Sequence, residues 1–112
     1  MKPILIRSTD GFERKISETY SVKNMLTKQE CENVSVAVSS AIGHKETTKS
    51  EVSDRVYYII EGELKVEPEL IAKKGDILFI PKNTEYSFSG TFKAVLINAP
   101  AFSFDKEKIK KI

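Results

Sequence analysis

One histidine, His44, and one cysteine, Cys31, set the limits of the chemistry open to this chain. A triad that needs an imidazole, or a metal centre that needs several, must be built around His44 or not at all. His44 follows Gly43 in the charged stretch GHKETTKSEVSD, where a solvent-exposed loop histidine is the expectation. Two minor alternatives are a pocket-rim acid/base group and a displaced metal ligand. Cys31 lies between Glu30 and Glu32, whose charges oppose the thiolate that a nucleophile needs. With a single cysteine there is no intramolecular disulfide and no multi-thiolate zinc site, and a reducing cytoplasm is the compartment expected. Phosphate-loop and dinucleotide glycine patterns are absent.

The elements that must carry any site are strands. At 112 residues, 40% hydrophobic and 30% charged, the chain has the composition of one ordinary globular domain, 1–112. Short runs rich in β-branched and aromatic residues alternate with Gly, Pro, Asn, Asp and Ser clusters, the habit of an all-β barrel or sandwich. The pattern predicts strands over 3–7, 21–26, 33–42, 55–60, 63–66, 70–72, 76–80, 86–88 and 92–98. Val34, Val36 and Val38 alternate with Ser35, Ala37 and Ser39, which makes one face apolar and the other small. DILFIP, Asp76 to Pro81, is apolar on both faces and is expected in the middle of the fold. Glu61-Gly62-Glu63 and Lys73-Lys74-Gly75-Asp76 read as hairpin corners, with glycine supplying positive φ. The tail from Asp105, DKEKIKKI, is expected to be a short C-terminal helix or a frayed end. The basic run from Lys106 to Lys111 reads as a solvated face. Eighteen basic against 16 acidic residues, well mixed, argue against nucleic-acid and anionic-membrane partners. The opening MKPILIRSTD is too short an apolar run for a signal peptide or a span.

DRVYYIIEGEL (Asp54 to Leu64) and KKGDILFIPKNTEYSF (Lys73 to Phe88) resemble the two motifs of the small cupins, over a core of about residues 33–101. Gly62 closes the first motif, and Gly75, five residues and Pro81 match the second. Asn83 stands where the second motif has its next glycine, and Asn tolerates left-handed geometry. The resemblance implies a single cupin-type β-barrel, a double-stranded β-helix or jelly roll, and a homodimer joined through sheet edges and an N-terminal strand. It also implies where a metal would bind, and there the chain departs from the pattern. Arg55 takes the place of the family's glutamate and Tyr86 that of its last histidine. The His-x-His pair aligns with either Lys49 and Glu51 or Thr48 and Ser50. A fixed guanidinium in such a donor set disfavours a divalent cation, so neither a metal nor another cofactor is expected.

If the register of the resemblance holds, Arg55 points into the barrel. Period-two alternation then puts Tyr57 and Ile59 on its face. Tyr86 comes near, together with Thr48 and Ser50 or with Lys49 and Glu51, and Phe79 and Phe88 supply apolar wall. A guanidinium flanked by hydroxyls suits a carboxylate or another oxyanion. Glu51 instead fills that role if it pairs with Arg55. The sequence therefore points to a binding or sensing module for a small anionic molecule, with Arg55, Tyr86, Tyr57, Glu51, Phe79 and Phe88 as site residues. Two other classes remain: a cupin metalloenzyme of isomerase or dioxygenase type with an unconventional site at His44 or Glu51, and a structural dimer with a packed barrel.

Overall fold

The computed structural model describes residues 2–103 and the backbone of 107–111. After a short 3-10 turn at Ser8–Asp10 come eight strands: β1 (Phe12–Ser17), β2 (Tyr20–Leu26), β3 (Ser35–Ser50), β4 (Asp54–Val66), β5 (Leu70–Lys73), β6 (Ile77–Ile80), β7 (Tyr86–Ala99) and β8 (Glu107–Lys111). All pairings are antiparallel. The hydrogen-bonded path runs β1-β2-β3-β7-β4-β5, with β6 also on β4 and β8 also on β3. Among the described residues this path does not close on itself. It curls into a cupin-type barrel around one core that includes Tyr20, Val22, Tyr57, Ile59, Leu64, Phe88 and Phe92. No helix among the described residues is long and apolar enough to cross a membrane.

Two long strands replace what the sequence pattern divides. The runs on either side of Gly62 are one strand, β4, and those on either side of Gly90 are one strand, β7. Gly62 is therefore not a hairpin corner. It lies beside a register shift between Ile59 and Glu61, with φ +79°. A Cβ there would overlap the carbonyl oxygen of Thr91 and come within 2.8 Å of Phe92 Cα, so the close approach of β4 to β7 requires glycine. Gly75, with φ +90°, does sit in a tight turn, closed by Asp76 N–H donating to Lys73 O at 2.8 Å. The strands it joins, β5 and β6, both pair with β4 and not with each other, so this turn is not a hairpin corner either. Asn83 is left-handed, φ +63°, as its place in the motif implies.

Three further expectations fail, and one strand is unexpected. Residues 3–7 form no strand and pair with no edge among the described residues, and Ile4 and Leu5 are exposed. β1 was not visible in the pattern, since FERKIS is mostly polar and exposed on one side of a hairpin. DILFIP lies at a margin: β6 pairs only with β4, and Ile77 and Phe79 are 67% and 56% exposed. The tail is not a helix. Glu107–Lys111 forms β8 along the Glu46–Ser50 part of β3, because that segment of β3 offers an edge beyond the reach of β2. Asp105 and Lys106 lie outside the described residues.

Candidate functional site

The site begins with a change of parity in β3. Ser35, Ala37, Ser39 and Ala41 are buried, so the small face of the strand points inward and the valines stand outside it. Small inward side chains leave space in the barrel. At Gly43, with φ +56°, the ladder shifts between Ala41 and His44, and the even-numbered residues turn inward. His44, Glu46, Thr48 and Ser50 are thereby buried, a polar strip along the inside of the barrel.

His44 is thus not a loop residue in solvent; it is 4% exposed. Its Nε2 lies 2.8 Å from Glu46 Oε1 and its Nδ1 2.8 Å from Thr19 Oγ1. The Tyr20 ring stacks on it at 4.6 Å, nearly parallel. Both ring nitrogens have partners, as a buried imidazole requires.

Register brings the second half of the site together. Arg55 of β4 faces Asn98 of β7, and Thr48 of β3 faces Tyr86 of β7. Arg55 points inward as expected: Nε donates to Asn98 Oδ1 at 2.9 Å, and Nη1 donates to Tyr86 Oη at 3.1 Å and to Thr48 Oγ1 at 3.4 Å. Tyr86 Oη lies 2.6 Å from Tyr57 Oη. Burial pushes the Tyr57 and Tyr86 phenols above their ordinary range, with the neighbouring Arg55 charge opposing the rise. Tyr20 is raised as well, chiefly by burial, against a hydrogen bond from Ser39.

These groups border a cavity of about 60 Å³, whose polar lining includes Glu46, Thr48, Arg55, Tyr57 and Asn98 and whose apolar lining includes Val22, Phe88 and Leu96. That is room for roughly four waters. A wider bowl of about 510 Å³ adjoins it and shares Arg14, Asn24, Ser35 and Phe102 with it. Arg14 lies over the Phe102 ring at 5.5 Å.

Of the six residues read as a site, Arg55, Tyr57 and Phe88 line the cavity, and Tyr86 stands behind Tyr57 as its hydrogen-bond partner. Phe79 is on the outer surface, because β6 shows that side chain to solvent. Glu51 is half-buried and lies past the end of β3, so the alignment using Thr48 and Ser50 is the one the fold adopts. Glu46, Tyr20, Thr19 and Asn98 were not read as site residues. The alternation His44-x-Glu46-x-Thr48-x-Ser50, with Lys45 and Lys49 between, was the available signal for the first of these. The donor set does not fit the metal of the cupin pattern. Among the described residues no three His, Cys, Asp or Glu side chains converge, and the guanidinium occupies the position of a ligand.

Residues 10–102 match the family of the ethanolamine utilisation protein EutQ. The chain belongs to the EutQ family. No curated protein sequence matches it. An ethanolamine utilization protein Q from Salmonella typhimurium LT2 shares 26% identity and superposes with TM-score 0.66, over 74% of this chain and 71% of that one. Streptomyces PAC13, solved with uridine in a tyrosine-to-phenylalanine variant, superposes with TM-score 0.85 at 21% identity, over 100% of this chain and 93% of that one. PAC13 is described as a nucleoside dehydratase, and a histidine-to-glutamine variant was also solved with uridine. KdgF from a Halomonas species gives TM-score 0.78 at 12% identity, over 93% and 98%. This EutQ-family chain therefore has the fold of the small cupins.

Proposed function

We propose that this EutQ-family domain is a metal-independent acid–base enzyme that removes water from a small hydroxylated carbonyl or carboxylate compound. One observation carries the reading: a buried carboxylate, Glu46, lines the same cavity as Arg55 and the Tyr57 phenol. A base and a set of oxyanion donors in one enclosed space are the parts an elimination needs. The guanidinium donates to Tyr86, and the Tyr86 and Tyr57 hydroxyls share a hydrogen bond, which links the two phenols to the Arg55 charge. Arg55 and Tyr57 hold the carbonyl or carboxylate oxygen. Glu46 takes the proton from the adjacent carbon, and the hydroxyl on the next carbon departs as water by taking that proton back. Glu46 is regenerated, and the substrate loses one water. The small inner cavity receives the reacting end, and the adjoining bowl, with Arg14 and Lys28 on its wall, receives the rest of the molecule. The likeness to PAC13 supports a dehydration without naming the substrate.

The test is a thermal-shift screen of uridine and other nucleosides, hydroxy acids and sugar phosphates, with hits incubated and their mass followed. Expected is at least one stabilising compound that loses the mass of water with wild type. Arg55→Ala should lose the stabilisation, and Glu46→Gln should keep it without turnover. An absence of hits, or turnover by Glu46→Gln equal to wild type, would overturn the reading.

A further inference from the structure

We propose that Thr19, outside the cavity, is a positioning residue that holds the His44 ring through its hydrogen bond to Nδ1 and thereby the orientation of Glu46. The inference rests on the acid–base role of Glu46 given above. Thr19 stands in the turn between β1 and β2, where Ser17 pairs with Tyr20. The turn is tied down on three sides. Thr19 N–H donates to Ser17 Oγ at 3.2 Å, its carbonyl accepts from Ile42 N–H at 2.9 Å, and its hydroxyl meets His44 Nδ1 at 2.8 Å. The contact to Ile42 anchors the turn beside the Gly43 shift that brings His44 inward.

The chemistry of the neutral ring gives this arrangement a direction. Glu46 as a carboxylate only accepts, so the nitrogen facing it, Nε2, must carry the proton. Nδ1 is then the acceptor, and the Thr19 hydroxyl, the group at that nitrogen, donates to it. With the Tyr20 ring stacked on one face, the imidazole has a fixed plane as well as a fixed tautomer. The N–H at Glu46 Oε1 orients the carboxylate of a residue that lines the cavity. A surface turn thereby sets the geometry of a buried base.

Because His44 is the only histidine, its ring can be read without assignment in the full chain labelled with ¹⁵N-histidine. Wild type should show a single neutral form with the proton on Nε2 and a hydrogen-bonded Nδ1. Thr19→Val should leave the proton on Nε2 but lose the hydrogen-bonded shift of Nδ1, and Thr19→Ser should restore it. With a substrate from the screen, Thr19→Val should lower kcat by about 10-fold at unchanged KM, with rescue by Thr19→Ser. A wild-type ring protonated on Nδ1, or a Thr19→Val spectrum identical to wild type, would overturn the assignment. If the tautomer behaves as stated and the screen finds no substrate, the dehydration fails while the positioning of the His44–Glu46 pair stands.

Discussion

Arg55 joins the three strands that carry the candidate site. In the position where the cupin pattern has a metal-binding carboxylate, it makes cross-strand hydrogen bonds to Asn98, Thr48 and Tyr86 and so ties β4 to both β7 and β3. This half of the site was legible, because alternation from Arg55 puts Tyr57 on the same face and the motif spacing fixes Tyr86. The His44–Glu46 half was not, because a one-residue shift at Gly43 reverses which side chains face inward, and alternation by itself has no means of signalling it. The buried phenols lead to a pH dependence with a defined sign. Burial raises Tyr57, Tyr86 and Tyr20 above the ordinary value of about 10, so the folded chain holds more protons than the unfolded one above that pH. Their contribution is fully present below pH ~10 and is lost as pH rises from there toward the folded values. Urea unfolding across alkaline pH should therefore show stability falling above pH ~10, with a shallower fall in Tyr57→Phe. An identical slope in the variant would place the loss elsewhere. At neutral pH Tyr57→Phe should cost about 1 kcal/mol, the worth of one buried hydrogen bond.

At the scale of elements, the strand content was readable and the boundaries were not, for one recurring reason. Gly62 and Gly90 interrupt apolar runs without ending strands: each lies where β4 and β7 come too close for a side chain, and a Cβ on Gly90 would overlap the carbonyl oxygen of Glu63. A glycine that permits close approach and a glycine that makes a turn look alike in one dimension. The tail was misread because a Lys-rich run carries helical propensity, while the free edge of β3 that captures it is visible only after folding. Gly62→Val should be severe, above about 2 kcal/mol, since positive φ and a backbone overlap act together. Gly75→Ala, also at positive φ but with open space around its Cβ, should cost about 1 kcal/mol. Denaturant midpoints of the two variants check the pair, and equal losses would count against close approach as the cause at Gly62.

For the whole molecule, one group of exposed apolar side chains lies on the outside of β4 and β6, and others lie on β1, β3 and β5. Tyr58 pairs with Ile77, and Phe79 follows, all exposed, while the unpaired N-terminal segment presents Ile4 and Leu5. We propose that a second copy covers this surface, with Ile4 and Leu5 of each chain lending apolar surface to the contact. Light scattering should report a dimer, and deletion of residues 1–7 or Phe79→Lys should shift it toward monomer or aggregate. A dimer that survives both changes would place the contact elsewhere.

The position of β7 in the sheet also sets the order in which the barrel can be completed. It lies between β3 and β4, pairing Ser35 with Asn98 and Asp54 with Ala99, yet it follows both of them in the chain. Until residues 86–99 have been synthesised, the inner edges of β3 and β4 have no partner, and the polar strip and Arg55 have no enclosure. Loop closure across such separations is slow to nucleate. A chain arrested just before β7 would expose two long unpaired edges, so ribosome-bound fragments ending near Lys82 should engage chaperones, and those extended past Pro100 should release them.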